Sequence, residues 1–190
     1  MEYEFSNTEA IAALAAHDPQ QFRLLVEHYQ YSLFGFLGRM GFSREDAEDI
    51  AQDVFLKVWR HRASYDPAKA RVSTWLFTIA RNTALNKLQG NTVQGNKVQL
   101  VSAHDVELAA DRYREPEEQL QQRQARQRLT NAIQQLPLDD RTVIALFYID
   151  ELTSAQAAAI LECSPNAFKT RLFRAREKLK AIFNKPGDEQ

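Results

Sequence analysis

The 190-residue chain has one cysteine, six glycines, six prolines and four histidines, and no apolar run exceeds seven residues. Each scarcity excludes something. A lone Cys163 rules out an internal disulfide and any multi-cysteine zinc site. His17, His28, His61 and His104 contain no i, i+4 pair that could make a metal-binding helix face, so no metal or cofactor is expected. The runs Ala10–Ala16 and Val143–Ile149 fall far short of the roughly 18 apolar residues of a membrane helix. The opening Met-Glu-Tyr-Glu-Phe is acidic where a secretory signal is basic, so the expectation is a soluble, cytoplasmic protein without direct membrane insertion. Few glycines and prolines with 44% hydrophobic residues describe a folded chain, not a disordered or fibrous one.

Net charge is also nearly absent, 24 cations against 25 carboxylates, but the signs are sorted along the chain. Residues 43–53 set Arg44 against Glu45, Asp46, Glu48, Asp49 and Asp53. Residues 57–90 set Lys57, Arg60, Arg62, Lys69, Arg71, Arg81 and Lys87 against Asp66 alone. A second acidic stretch, 104–118, is followed by a second basic block at 165–185. A polyanion reader with two contact points has this pattern, and so has a protein with two solvated helix faces.

The periodicity is helical throughout. Asp18 caps and Pro19 opens a helix whose apolar stripe is Phe22, Leu25, Val26, Tyr29, Leu33, Phe36, Leu37 and Met40, with Gly41 as its stop. Ser43 with Asp46 resembles a capping box before Ala47, Ile50, Ala51, Val54, Phe55, Val58 and Trp59. After a Tyr65-Asp66-Pro67 loop, Ser73 is expected to cap a helix reaching about Gln89, with Leu76, Ile79, Ala80, Thr83 and Leu88 inward. Residues 93–116 lose the rhythm and read as a flexible acidic linker. Helix resumes at Pro116, with Leu120, Leu129, Ile133 and Leu136 inward, and shorter helices follow. The expected fold is all-α: two small helical domains, 1–92 and 117–186, joined by that linker.

Three segments carry chemistry. In Thr153–Lys178 a short alanine-rich helix, a turn at Glu162-Cys163-Ser164 and a longer basic helix make a helix-turn-helix pattern. Ala157, Ala158 and Ala159 permit close helix crossing, and Ser164-Pro165 opens the second helix. With Phe168, Leu172, Ala175, Leu179 and Ile182 buried, Asn166, Lys169, Thr170, Phe173 and Arg174 share the other face. Lys169 and Arg174 suit guanine edges, and Thr170 or Phe173 a thymine methyl. Arg171, Arg176 and Lys178 suit phosphates. A plain helical hairpin with a basic face uses the same residues, and Phe173 could equally fill a core gap.

Ser73–Leu88 places Trp75, Thr78, Asn82 and Asn86 on one face, flanked by Arg71, Arg81 and Lys87. Rings stack on unpaired bases, amides read their edges and cations hold the backbone, although Trp75 could also be core. Residues 45–60 turn Asp46, Asp49, Gln52 and Asp53 outward from Ile50, Val54, Val58 and Trp59. No Glu-x-x-His partner, glycine-rich phosphate loop or Ser/His/Asp set accompanies those carboxylates, so a basic protein partner suits them better than catalysis.

In this order, DAEDIAQDVFLKVWR, STWLFTIARNTALNKL and ELTSAQAAAILECSPNAFKTRLFRAREKL closely resemble the extracytoplasmic-function (ECF) sigma factors, small bacterial initiation factors retaining sigma regions two and four. The resemblance spans nearly the whole chain. It implies a non-enzymatic subunit that brings core RNA polymerase to promoter DNA for a stress- or stimulus-specific gene set. It implies that Asp46, Asp49, Gln52 and Asp53 dock on the β′ clamp helices, with further contact to the β subunit. Asn82 would capture a flipped −10 base, supported by Trp75, Asn86, Arg71, Arg81 and loop 62–72. Asn166, Lys169, Thr170, Arg171, Phe173, Arg174, Arg176 and Lys178 would meet the −35 element. A membrane-linked anti-sigma factor is the implied antagonist. The family often carries Arg where this chain has Lys169, and lysine cannot form the same bidentate fork. Two other classes fit the residues alone: a dimeric helix-turn-helix repressor or activator, and an enzyme using the acidic helix.

Overall fold

The computed structural model describes residues 6–16, 18–93, 125, 127–149 and 152–184, and among these all regular structure is helical. The helices are α1 (Asn7–Ala15), α2 (Pro19–Met40), α3 (Arg44–His61), α4 (Val72–Val93), α5 (127–134), α6 (Leu138–Phe147), α7 (Ser154–Ile160) and α8 (Pro165–Phe183), with a 3₁₀ turn at Arg62–Ser64 after α3. The linker residues 94–116, the acidic stretch 104–118, Pro116 and Leu120 lie outside the described residues.

Local chemistry sets most boundaries. The Asp18 carboxylate accepts the Gln20 amide ahead of Pro19, whose missing N–H costs nothing at the first helical position. Gly41 ends α2 with φ 95°, a conformation open to glycine without a Cβ penalty. At Ser43 the hydroxyl accepts the Asp46 amide at 3.0 Å and donates to the Asp46 carboxylate at 3.1 Å. Half of a capping box is therefore made, and the shorter Asp side chain bonds the hydroxyl in place of the Ser43 amide.

The start of α4 departs from expectation. The helix begins at Val72, so Ser73 is buried in its first turn and is not the cap. The residue before it, Arg71, carries only donors and cannot cap by its side chain. The Val72 amide instead donates to Asn7 Oδ1 on α1, 3.1 Å away and 65 positions distant in sequence.

The helices α1 to α4 pack as one bundle: α3 lies against α4 and α2, and α1 crosses α2, α4 and the 3₁₀ turn. Its centre holds Leu25, Leu33, Phe36, Leu37, Met40, Ile50, Val54, Val58, Leu76 and Ala80. Phe22, Val26, Phe55, Trp59, Ile79 and Leu88, expected inside, are half-buried at its margin. Phe77, outside the expected stripe, is fully buried with its ring edge-on to Phe36 at 5.7 Å.

The remaining helices form a second body in which α6 and α7 pack on α8. Leu129, expected inward, is 43% exposed, and Ala132 takes the buried place on α5. Ala159 is likewise exposed, leaving Ala157, Ala158 and Ile160 as the buried face of α7. The two bodies meet: α6 packs on α2, α7 packs on α4, and buried residues of both belong to one apolar cluster. At that seam Arg141 donates to the Met40 carbonyl at 3.0 Å, and the Arg39 guanidinium lies 5.8 Å from the Tyr148 ring centre. Burial pulls the Arg141 guanidinium below its ordinary pKa.

Candidate protein and nucleic-acid interfaces

An acidic face is presented by α3. Burial of Ala47, Ile50, Ala51, Val54 and Val58 fixes its rotation, and Asp49, Gln52 and Asp53 are exposed, with Asp46 half-exposed. Lys87 of α4 reaches across to this face, its ammonium 3.6 Å from both Asp46 Oδ1 and Asp49 Oδ2. Asp53 and Gln52 have no such partner among the described residues. Leu56, 49% exposed and one helical turn beyond Gln52 and Asp53, adds an apolar group to this charged surface.

On α4, positions 75, 78, 82 and 86 follow one face, and Asn82 and Asn86 are exposed on it. Trp75 is half-buried, its ring centre 5.2 Å from that of Tyr65 in the preceding loop. That loop is internally tied. The Tyr65 hydroxyl donates to the Ala70 carbonyl at 2.8 Å, Asp66 Oδ1 accepts the Ala68 amide at 3.0 Å, and the Lys69 amide donates to the Asp66 carbonyl at 3.0 Å. Burial, and then the neighbouring Asp66 charge, raise the Tyr65 phenol above its usual pKa, with Arg71 opposing. Arg71 is exposed; Arg81 is half-buried and donates to Asn82 Oδ1 at 3.3 Å, which orients that carboxamide. Below the face, Lys57 of α3 donates to the buried Thr83 hydroxyl at 3.0 Å.

The third surface is α8. A complete capping box at Thr153 and Gln156 starts α7. Its end is a Schellman pair, Glu162 N–H to the Ala159 carbonyl and Cys163 N–H to the Ala158 carbonyl, both 3.0 Å. Glu162 therefore sits at φ 52°, a left-handed conformation unusual for a side-chain-bearing residue. Ser164 Oγ then accepts the Ala167 amide and Pro165 opens α8. Phe168, Leu172 and Ala175 are buried against α6 and α7, which turns Asn166, Lys169, Thr170, Arg171, Phe173 and Arg174 to solvent. Phe173 is 67% exposed, so it does not fill the core. Arg176 and Lys178 turn toward α6: Arg176 lies over Phe147 at 4.9 Å, and Lys178 pairs with Asp140 at 2.5 Å.

Two sequence families match this chain in this order: Sigma-70 region 2 over residues 25–92, and Sigma-70, region 4 over residues 126–179. The ECF RNA polymerase sigma factor SigM of Bacillus subtilis is 31% identical over 163 residues, covering 85% of this chain and 94% of the relative. The chain belongs to the ECF sigma factors. The ECF RNA polymerase sigma-E factor of Escherichia coli is 35% identical over 172 residues, 88% of this chain and 87% of the relative. The fold agrees with CnrH in complex with the cytosolic domain of CnrY, at a TM-score of 0.68, 24% identity and coverage of 95% and 98% of the two chains. It also agrees with RpoE in complex with the anti-sigma factor NepR from Bartonella quintana, at a TM-score of 0.66, 24% identity and coverage of 86% and 96%.

As a sigma factor the protein serves transcription initiation. Region two spans α3 and α4, which carry the acidic face and the Trp75–Asn82–Asn86 face, and region four carries α8. Sequence reasoning passed over Leu56, the tethering role of Lys87 and the Tyr65–Ala70 closure. The apolar position at 56 beside four polar interface candidates was the available signal for the first. The Lys87 contact is tertiary and has no local signature, and the Tyr65–Ala70 bond closes within one loop, where the Tyr65-Asp66-Pro67 turn was the available signal.

Proposed function

We propose that this sigma factor engages core RNA polymerase through α3, opens the −10 element with α4 and its preceding loop, and reads the −35 element with α8. It has no catalytic chemistry of its own and acts in the cytoplasm. The observation that carries this reading is the exposure of three chemically distinct faces on helices whose opposite sides are buried. Gln52, Asp53 and Leu56 offer a basic, partly apolar partner both charge and contact area, as the β′ clamp helices would require. Trp75, Asn82 and Asn86 offer stacking and amide donors to an extruded base, offsetting an unstacking cost of a few kcal/mol. Lys169, Thr170, Phe173 and Arg174 project from a helix of major-groove width. The functional division follows 1–92 and 117–186, with 93–116 as connector.

An anti-sigma factor of membrane origin is the proposed antagonist. Support for an antagonist comes from RpoE, whose structure is of a complex with the anti-sigma factor NepR, and from CnrH, whose structure is of a complex with the cytosolic domain of CnrY. Reconstituted transcription tests the whole reading. Core polymerase with this protein should initiate at discrete sites in a genomic fragment library, and Asp53→Ala should weaken core binding while leaving the fold intact. A protein that never associates with core polymerase yet shifts a palindromic duplex unaided would instead be a repressor or activator.

A further inference from the structure

We propose that Asn7 is a positioning residue for promoter opening: from α1 it caps the helix that presents Trp75, Asn82 and Asn86. The inference rests on the assignment of α4 to the −10 element, and it adds a determinant outside the matched region, which begins at residue 25. The first amides of a helix lack intrahelical acceptors, and an acceptor-bearing side chain at the cap normally satisfies one of them. In α4 that position is Arg71, which has donors only, while the Arg71 carbonyl already accepts the Trp75 amide at 3.1 Å. Val72 is fully buried, so water is a poor substitute, and the acceptor that arrives is Asn7 Oδ1 at 3.1 Å.

Asn7 is itself fixed. It is the first residue of α1, whose complete capping box joins the Ser6 amide to Glu9 Oε2 at 2.7 Å and the Glu9 amide to Ser6 Oγ at 3.3 Å. Ala10, Ala13 and Leu14 bury the helix against its neighbours. The capped turn leads directly into the proposed reading face, because Trp75 stands three residues after Val72 and packs on Tyr65. Asn7 thus sets where α4 begins and holds the loop 65–71 and Trp75 in one register, without touching DNA. Freed of this acceptor, the first turn frays and the stacking surface loses its fixed position at the step where a base leaves the duplex.

Holoenzyme reconstituted with full-length variants tests this. Asn7→Ala should slow open-complex formation on a duplex promoter by about two- to tenfold, the range expected from loss of a cap. It should leave core affinity unchanged and regain wild-type activity on a template with a pre-opened −10 bubble. Asn7→Asp, which keeps an acceptor and places negative charge at a helix N-terminus, should behave as wild type. Amide hydrogen exchange should show Val72 losing protection in Asn7→Ala while the amides of α3 do not. The inference fails if Val72 exchange is unaltered, or if core binding, duplex and bubble templates suffer equally. Asn82→Ala separates the two readings. If it opens the duplex normally, the −10 assignment of α4 is wrong; if it is impaired while Asn7→Ala is not, only the role of Asn7 is lost.

Discussion

The two candidate DNA-reading helices are held in opposite ways. Around α4 the polar groups are held: the Val72 amide by Asn7 of α1, Thr83 by Lys57 and Lys87 by Asp46 and Asp49 of α3, and Asn82 by the adjacent Arg81. On α8 the cations engaged by the protein, Arg176 and Lys178, lie toward its C-terminal end, while Lys169, Arg171 and Arg174 project into solvent. The difference suits two tasks. Capturing a base outside the duplex calls for a pre-set surface, because any disorder there adds to the unstacking cost. A regular groove is already a rigid template, so a helix that enters it needs only a fixed backbone and long, adaptable side chains.

Replacement of one phenylalanine in each half gives the sharpest contrast. Phe77→Ala removes a fully buried ring and should cost about 3–5 kcal/mol in chemical denaturation. Phe173→Ala should alter stability by no more than about 0.5 kcal/mol, while changing duplex binding by the holoenzyme. The next effect is one of discrimination. Lys169→Ala should shift preference among single-base variants of the −35 element by about 1–3 kcal/mol in competition assays; an even loss over all sequences would make Lys169 a phosphate contact.

Smaller still is the turn between α7 and α8. Glu162→Gly relieves the left-handed strain and should raise stability by roughly 0.5–1 kcal/mol, whereas Gly41→Ala introduces such strain after α2 and should lower it by a similar amount. The smallest effect is a pH dependence in the α4 loop. The Tyr65 phenol has its folded pKa raised, so its contribution is complete below the ordinary phenol value of about 10 and disappears as pH climbs through the raised value. Ultraviolet difference titration of wild type against Tyr65→Phe should isolate one late-ionising phenol; an ordinary midpoint would contradict the burial of that phenol beside Asp66.

Features governed by near neighbours were readable in the chain. Asp18-Pro19, Gly41, Thr153 and Ser164-Pro165 each act within four residues, and the structure has a cap or stop at every one. Ser73 misled because the group that does the capping is 65 positions away. Phe77 escaped because α4 is covered by α2 and α3 and also by α7, so more than one stripe is buried and a single-face period understates its core. Glu162 gave no sign, since left-handed helix ends are ordinarily marked by glycine. The three candidate faces were legible as spacing; that Lys87 spans from one to another was not.

The contact of α6 on α2 and of α7 on α4 has a thermodynamic consequence. Because this seam is largely hydrocarbon, with Arg141 closing onto the Met40 carbonyl, parting the halves hydrates apolar surface. Calorimetry of any such separation would record a rise in heat capacity that added salt scarcely alters, whereas the grip of the basic helices on a nucleic acid would weaken steeply with ionic strength.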